Sequence, residues 1–169
     1  YPPFLFENGR MFSIPGNTDV HCGRAAYAEE EDAQSMARRY DMTGRAVYSQ
    51  DLFDEKIEAF LTAHREEPFF LYHPTQLPHG PFFMPEPHPQ VAEDPGLTRL
   101  EKDYASMVLR LDETVGKILD TLRRLGLYEN TIVIFSADNG SVIAEQPGRT
   151  SERRLLDGTP IDNRRIRFT

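Results

Sequence analysis

Three side chains in this sequence of 169 residues have types and spacing that could do chemistry together: His79, Asp138 and Asn139. The adjacent carboxylate and amide of Asp138-Asn139 offer the hard oxygens that Ca2+ or Mg2+ takes, and Gly140 allows the tight turn that would aim them. Calcium takes roughly six to eight oxygens, so most of the ligands would come from elsewhere. On spacing alone the triplet is more often an ordinary turn. His79 stands in Pro78-His79-Gly80-Pro81. Its imidazole could contact an anionic ester and protonate the leaving oxygen, although a histidine in such a loop is often only a surface residue.

Both groups follow segments that read as strands. Phe69-Phe70-Leu71-Tyr72-His73 is a short aromatic and apolar run between Pro68 and Pro74, and Thr131-Ile132-Val133-Ile134-Phe135-Ser136 is β-branched without alternation. The second pattern is that of a strand buried on both faces of a parallel sheet. In open α/β sheets ligands sit beyond the carboxyl ends of the strands. If the two strands are parallel, His79 shares one sheet edge with Asp138 and Asn139.

The intervening elements support that order. Phe53, Ile57, Phe60 and Leu61 lie on one stripe of a helix spanning residues 51–66, with Asp51 as a plausible N-cap. Thr98-Arg99-Leu100-Glu101 is a capping-box pattern, and Leu100, Tyr104, Met107, Val108, Leu111, Val115, Ile118, Leu122 and Leu125 then recur at three- and four-residue spacing up to a Gly126 stop. Between these, residues 74–95 hold seven of the 13 prolines, too many for helix or central strand. Residues 1–48 read as an irregular lead-in with turn formers at Asn8-Gly9 and Pro15-Gly16-Asn17 and room for a short hairpin. Residues 49–140 read as an α/β core carrying the metal and substrate loops, and 141–169 as an Arg-rich loop tail.

Composition sets outer bounds. The chain is long enough for one core, and its 27 acidic against 19 basic residues give a net charge of −8, which argues against nucleic acid or anionic lipid as partner. The acidic run Glu29-Glu30-Glu31-Asp32 and the arginines 149, 153, 154, 164, 165 and 167 read as solvated faces. One cysteine, Cys22, permits no intrachain disulfide. No apolar stretch is long enough to span a membrane, and no signal-peptide pattern occurs. His73 reads as a packed, hydrogen-bonded strand residue and His88 as structural, while His21 and His64 have no assigned role.

Taken in order, Pro68-Phe69-Phe70-Leu71-Tyr72, Pro78-His79-Gly80-Pro81, Tyr104-Ala105-Ser106-Met107-Val108, Leu111-Asp112, Val115-Gly116, Leu125-Gly126-Leu127 and Glu129 through Gly140 resemble the sulfatase family pattern, as do the segments at 1–9, 14–17 and 48–53. The likeness covers most of residues 1–140. It implies an alkaline-phosphatase-like α/β fold with a sheet flanked by helices, of which this would be an incomplete part. It also implies a sulfuric ester hydrolase of arylsulfatase type that uses a divalent cation, calcium or alternatively magnesium, and a formylglycine nucleophile. By the same resemblance Asp138 and Asn139 match metal ligands and His79 matches the substrate-contacting histidine. The substrate would be a small-molecule or carbohydrate sulfate ester, and the location periplasmic, secreted or lysosomal.

The formylglycine motif C-x-P-S-R, the first aspartate pair and the G-K-x-H-x-G segment have no counterpart here and are expected upstream of Tyr1, so this chain alone is expected to be inactive. Cys22 lacks the proline and the correctly spaced arginine, and the last lysine is Lys117, so the family's later lysine is also missing. Two alternatives stay open: a phosphate or phosphonate ester hydrolase of the same superfamily, or a binding module without catalysis. The sequence names neither the ester nor the oligomeric state.

Overall fold

The computed structural model describes residues 1–18 and 37–138. Cys22, His21, the acidic run and the Arg-rich tail lie outside the described residues, as do Asn139 and Gly140. The chain divides into two units, Tyr1–Thr131 and Ile132–Thr169.

The first unit begins with an antiparallel hairpin of β1 (Phe4–Glu7) and β2 (Arg10–Ser13), in register from Phe4 opposite Ser13 to Glu7 opposite Arg10. Asn8 and Gly9 turn it with φ of 51° and 76°, the pair of left-handed residues that a tight two-residue hairpin needs. Behind it, buried Asn17 ties distant chain segments together. Its amide donates to Pro2 O at 2.9 Å and Val47 O at 2.8 Å, and its Oδ1 accepts the Val47 N–H at 2.8 Å. Gly16 precedes it at φ +84°, where a Cβ would lie 2.8 Å from the Ala46 Cβ. The Pro-Gly-Asn string is therefore a backbone clamp.

Helix α1 (Ser49–Ala63) and helix α3 (Arg99–Arg124) pack on each other, joined by the proline-rich loop with a single helical turn, α2 (Pro89–Ala92). A short 3-10 helix, Tyr128–Asn130, follows. Helix α1 starts two residues before the expected Asp51, which sits in the first turn and does not cap it; Tyr48 is the N-cap, without a side-chain hydrogen bond. Helix α3 begins with the capping box in place, Thr98 accepting from the Glu101 N–H and Glu101 from the Thr98 N–H. It ends as expected at Gly126, whose φ is +72°. Helix α2 corrects the reading of the proline-rich segment as free of helix: Pro89 occupies N1, where no N–H is needed, and His88 Nδ1 accepts from the Gln90 N–H.

The shared core is Ile57, Leu61 and Leu122, with Phe60, Phe69, Leu71, Ile118, Leu125 and Leu127 packed around it. Each fully buried aliphatic side chain contributes about 1.5–3 kcal/mol. The most buried face of α3 is nevertheless largely polar: Asp103, Ser106, Arg110, Thr114 and Thr121 are buried beside Met107 and Leu122, whereas Val108 of the expected apolar stripe is exposed. On the facing side of α1, Asp54 accepts from Arg110 and Lys117 of α3 at 2.8 Å on one oxygen and from Gln50 and Thr114 at 2.9 Å on the other. The packing is thus laced by a buried ion-pair network.

The two expected strands are corrected. Neither 69–73 nor 131–136 forms a ladder, and among the described residues the hairpin is the only sheet. The first segment keeps the two-residue period of a strand, Phe69 and Leu71 lying on the helical core while Phe70 is 86% exposed and Tyr72 points away with it. In the second unit Ile132, Val133, Ile134 and Phe135 are all exposed, the first at 90%. An extended segment becomes a strand only when another supplies donors and acceptors across it, and the described residues supply none.

Candidate functional site

The loop bearing His79 is anchored on both sides of its tip. Leu77 before it and Phe82 after it are buried, Phe82 in edge contact with Tyr104 at 4.9 Å between ring centroids. Between these plugs the peptides preceding Pro78 and Pro81 are cis. The His79 N–H donates to Gln76 O at 2.9 Å and the Leu77 N–H to Thr75 Oγ1 at 3.1 Å. The His79 side chain is exposed. Its Nδ1 lies 2.7 Å from Gly80 O. A carbonyl oxygen can only accept, so Nδ1 carries the proton in that contact and Nε2 is the nitrogen left for a ligand. In the neutral ring Nε2 accepts; it donates only when both nitrogens are protonated.

Asp138 closes the described part of the second unit and is exposed, its carboxylate in no hydrogen bond or ion pair among the described residues. Asn139 lies outside them. His79 belongs to one unit and Asp138 to the other. His73 departs in part from its expected role. Its ring packs 6.4 Å from that of Phe53, but its buried Nε2 finds no hydrogen-bond partner among the described residues, and burial pushes its pKa down against the opposing pull of Asp54. His88 is structural, as expected: its N–H donates to Ser106 Oγ at 2.7 Å and its Nε2 meets Glu113 at 3.3 Å. His64 pairs with Glu67.

What the sequence reading missed is the set of polar residues on α3 that holds the loop: Arg99, Lys102, Asp103 and Ser106. Lys102 donates to Ala92 O, and Arg99 to the carbonyls of Met84 and Pro85. The available signal was Asp103, a charged residue three positions after Leu100 and four before Met107, on the stripe read as apolar. Burial raises the pKa of the Asp103 carboxyl, outweighing the hydrogen bonds from Tyr40 and Arg99 that favour its ionised form.

The sequence profile of the family described as Sulfatase matches residues 5–160. This chain belongs to the sulfatase family. It is 42% identical over 112 residues to the N-acetylgalactosamine-6-O-sulfatase of Bacteroides thetaiotaomicron, a stretch covering 66% of this chain and 20% of that protein. It is 34% identical over 106 residues to the N-acetylgalactosamine-6-sulfatase of Rattus norvegicus, covering 62% and 19%. Arylsulfatase J of Mus musculus is 29% identical over 120 residues, covering 70% and 19%. The chain spans about a fifth of the length of the curated relatives it matches. No solved structure matches it.

Sulfatase membership implies the alkaline-phosphatase-like α/β fold, and the helices flanking the 69–73 segment are consistent with it. Among the described residues no three His, Cys, Asp or Glu gather into a metal cluster, and no helix is long and apolar enough to cross a membrane. Asp138 fits a hard cation as one ligand, being exposed and unpaired there.

Proposed function

We propose that this sulfatase-family chain contributes part of the active site of a sulfuric ester hydrolase, with His79 as the catalytic and substrate-binding residue and Asp138 and Asn139 as ligands of a calcium ion. The observation carrying this reading is the exposed imidazole of His79, fixed between two buried plugs within the family's Pro-His-Gly-Pro string, with Nδ1 committed to Gly80 and Nε2 open. With both nitrogens protonated, Nε2 donates to an ester oxygen of the bound sulfate. As the S–O bond to the leaving group breaks, that proton passes to the leaving oxygen and the ring remains as the Nδ1–H tautomer, still bonded to Gly80. When bound, the cation would neutralise charge on the sulfate oxygens. The nucleophile is a formylglycine by family resemblance, and no residue described here takes that part.

The relatives named for N-acetylgalactosamine-6-sulfate support a sulfated amino sugar as the substrate class. The test uses the full-length protein with an aryl sulfate and a sulfated N-acetylgalactosamine. Replacement of His79 by Ala lowers kcat about 100- to 10,000-fold and leaves calcium binding by calorimetry intact. Asp138→Ala weakens calcium binding and turnover together, with part of the activity restored by excess calcium. Parental calcium affinity in Asp138→Ala, or calcium loss in His79→Ala, would reverse these roles. The 169-residue chain by itself hydrolyses neither ester, and turnover by a contaminant-free preparation contradicts that.

A further inference from the structure

The proline-rich loop is poor in its own hydrogen bonds, because each proline lacks an N–H, and its carbonyls must find donors elsewhere. Those donors come from the first turns of α3. Arg99 Nη2 donates to Met84 O at 2.8 Å and to Pro85 O at 2.9 Å, and Arg99 Nε donates to Asp103 Oδ1 at 3.0 Å. The guanidinium carbon lies 4.0 Å from the centroid of the Tyr40 ring, whose hydroxyl donates to the other oxygen of Asp103. Asp103 itself is 0% exposed. The planar fork is therefore held by stacking on one face and by a buried carboxylate at its Nε edge, and Nη2 serves two adjacent carbonyls. A lysine cannot reproduce this geometry.

Met84 and Pro85 follow the Phe82 plug with one residue, Phe83, between, and Leu77 closes the other side of the tip that presents His79. Ser106 and Lys102 tie the loop further along, at His88 and Ala92. The 84–85 backbone that Arg99 holds is thus the stretch by which the chain leaves the tip.

We propose that Arg99, oriented by Asp103 and Tyr40, is a positioning residue for His79: it places the imidazole through the loop backbone without touching substrate. This rests on the reading of His79 given above. A misplacement of about 1 Å at a reacting group costs on the order of 100-fold in rate.

The experiment is a double-mutant cycle in the full-length protein, with kcat and KM for an aryl sulfate measured for Arg99→Gln, His79→Ala and the pair. Arg99→Gln lowers kcat about 10- to 100-fold with KM changed less, and in the His79→Ala background it causes no further loss, since the group it places is gone. Asp103→Asn behaves like Arg99→Gln, and Arg99→Lys does not restore kcat. Circular dichroism and thermal unfolding identify the variants that fold, and Arg99→Lys carries the same cycle if Arg99→Gln does not. Losses that multiply in the double variant, or full activity in Arg99→Lys, overturn the positioning role while leaving His79 in place. Parental kcat in His79→Ala overturns the reading of His79 itself and this inference with it.

Discussion

The α1–α3 interface and the extended segment at 69–73 lie against the same core, yet they differ in how their polar groups are met. Along α3, buried Arg110 and Thr114 find partners on α1, and the helix backbone bonds are internal to each helix. Along 69–73, the side chains of one face are packed, the other face stands in solvent, and among the described residues no ladder satisfies the backbone. A helix brings its hydrogen bonds with it and needs a neighbour only for its side chains. An extended segment needs a neighbour for its main chain as well.

The strongest way to break that contrast is to remove the hub of the helical interface. Asp54→Ala leaves Arg110 and Lys117 without their shared buried carboxylate and costs about 3 kcal/mol in urea unfolding, toward the lower end for a broken buried pair because Arg110 keeps Asp51 and Glu113. Burial by itself would raise the Asp54 pKa, but hydrogen bonds from Lys117, Gln50, Thr114 and Arg110 reverse this and hold it at about 2, against an ordinary 3.8. A carboxyl depressed in the folded state stabilises the protein above its unfolded pKa. That contribution is lost as pH falls from about 4 through about 2, so unfolding measured across this range steepens with acid in the parent and flattens in Asp54→Asn. An unchanged acid limb in Asp54→Asn would place the stabilisation elsewhere.

A smaller effect tests the local half of the argument. Thr98→Ala removes the capping box of α3 and costs about 1 kcal/mol by the same unfolding measurement. No measurable change would mean that packing alone starts the helix.

The smallest expected effect is the one that sharpens the comparison most. Phe70→Ala in this chain changes stability by less than about 0.5 kcal/mol, because the side chain it removes is exposed. A cost of several kcal/mol in the 169-residue chain would contradict the exposed face described here.

Much of the architecture was legible from local signals. The hairpin turn at Asn8-Gly9, helix α1, the capping box and Gly126 stop of α3, and the proline-rich loop with His79 at its tip all follow from propensities and spacings acting within a few residues. The single turn of α2 was overlooked because proline was counted as a helix breaker when its position, N1, is where a helix tolerates it best. The polar face of α3 was overlooked for a different reason. Periodicity ranks positions by apolarity, and Asp103, Arg110 and Thr114 are met in their burial by Tyr40, Asp54 and Gln50 from distant segments and by Arg99 one turn earlier on the same helix. As for the site, His79 was singled out as a candidate by its string, whereas the nitrogen it turns to Gly80 and the carbonyls that Arg99 serves required coordinates.

Sequence by itself determined the two long helices, the hairpin turn at Asn8-Gly9 and the family to which the ordered motifs point, because each is encoded by neighbouring residues or by their order along the chain. Only the tertiary structure decided which nitrogen of His79 stays open, which carbonyls Arg99 serves, and that 69–73 packs one face on the helices without entering a ladder. Those outcomes depend on groups distant in sequence meeting within hydrogen-bond distance, and no local pattern specifies which partner arrives.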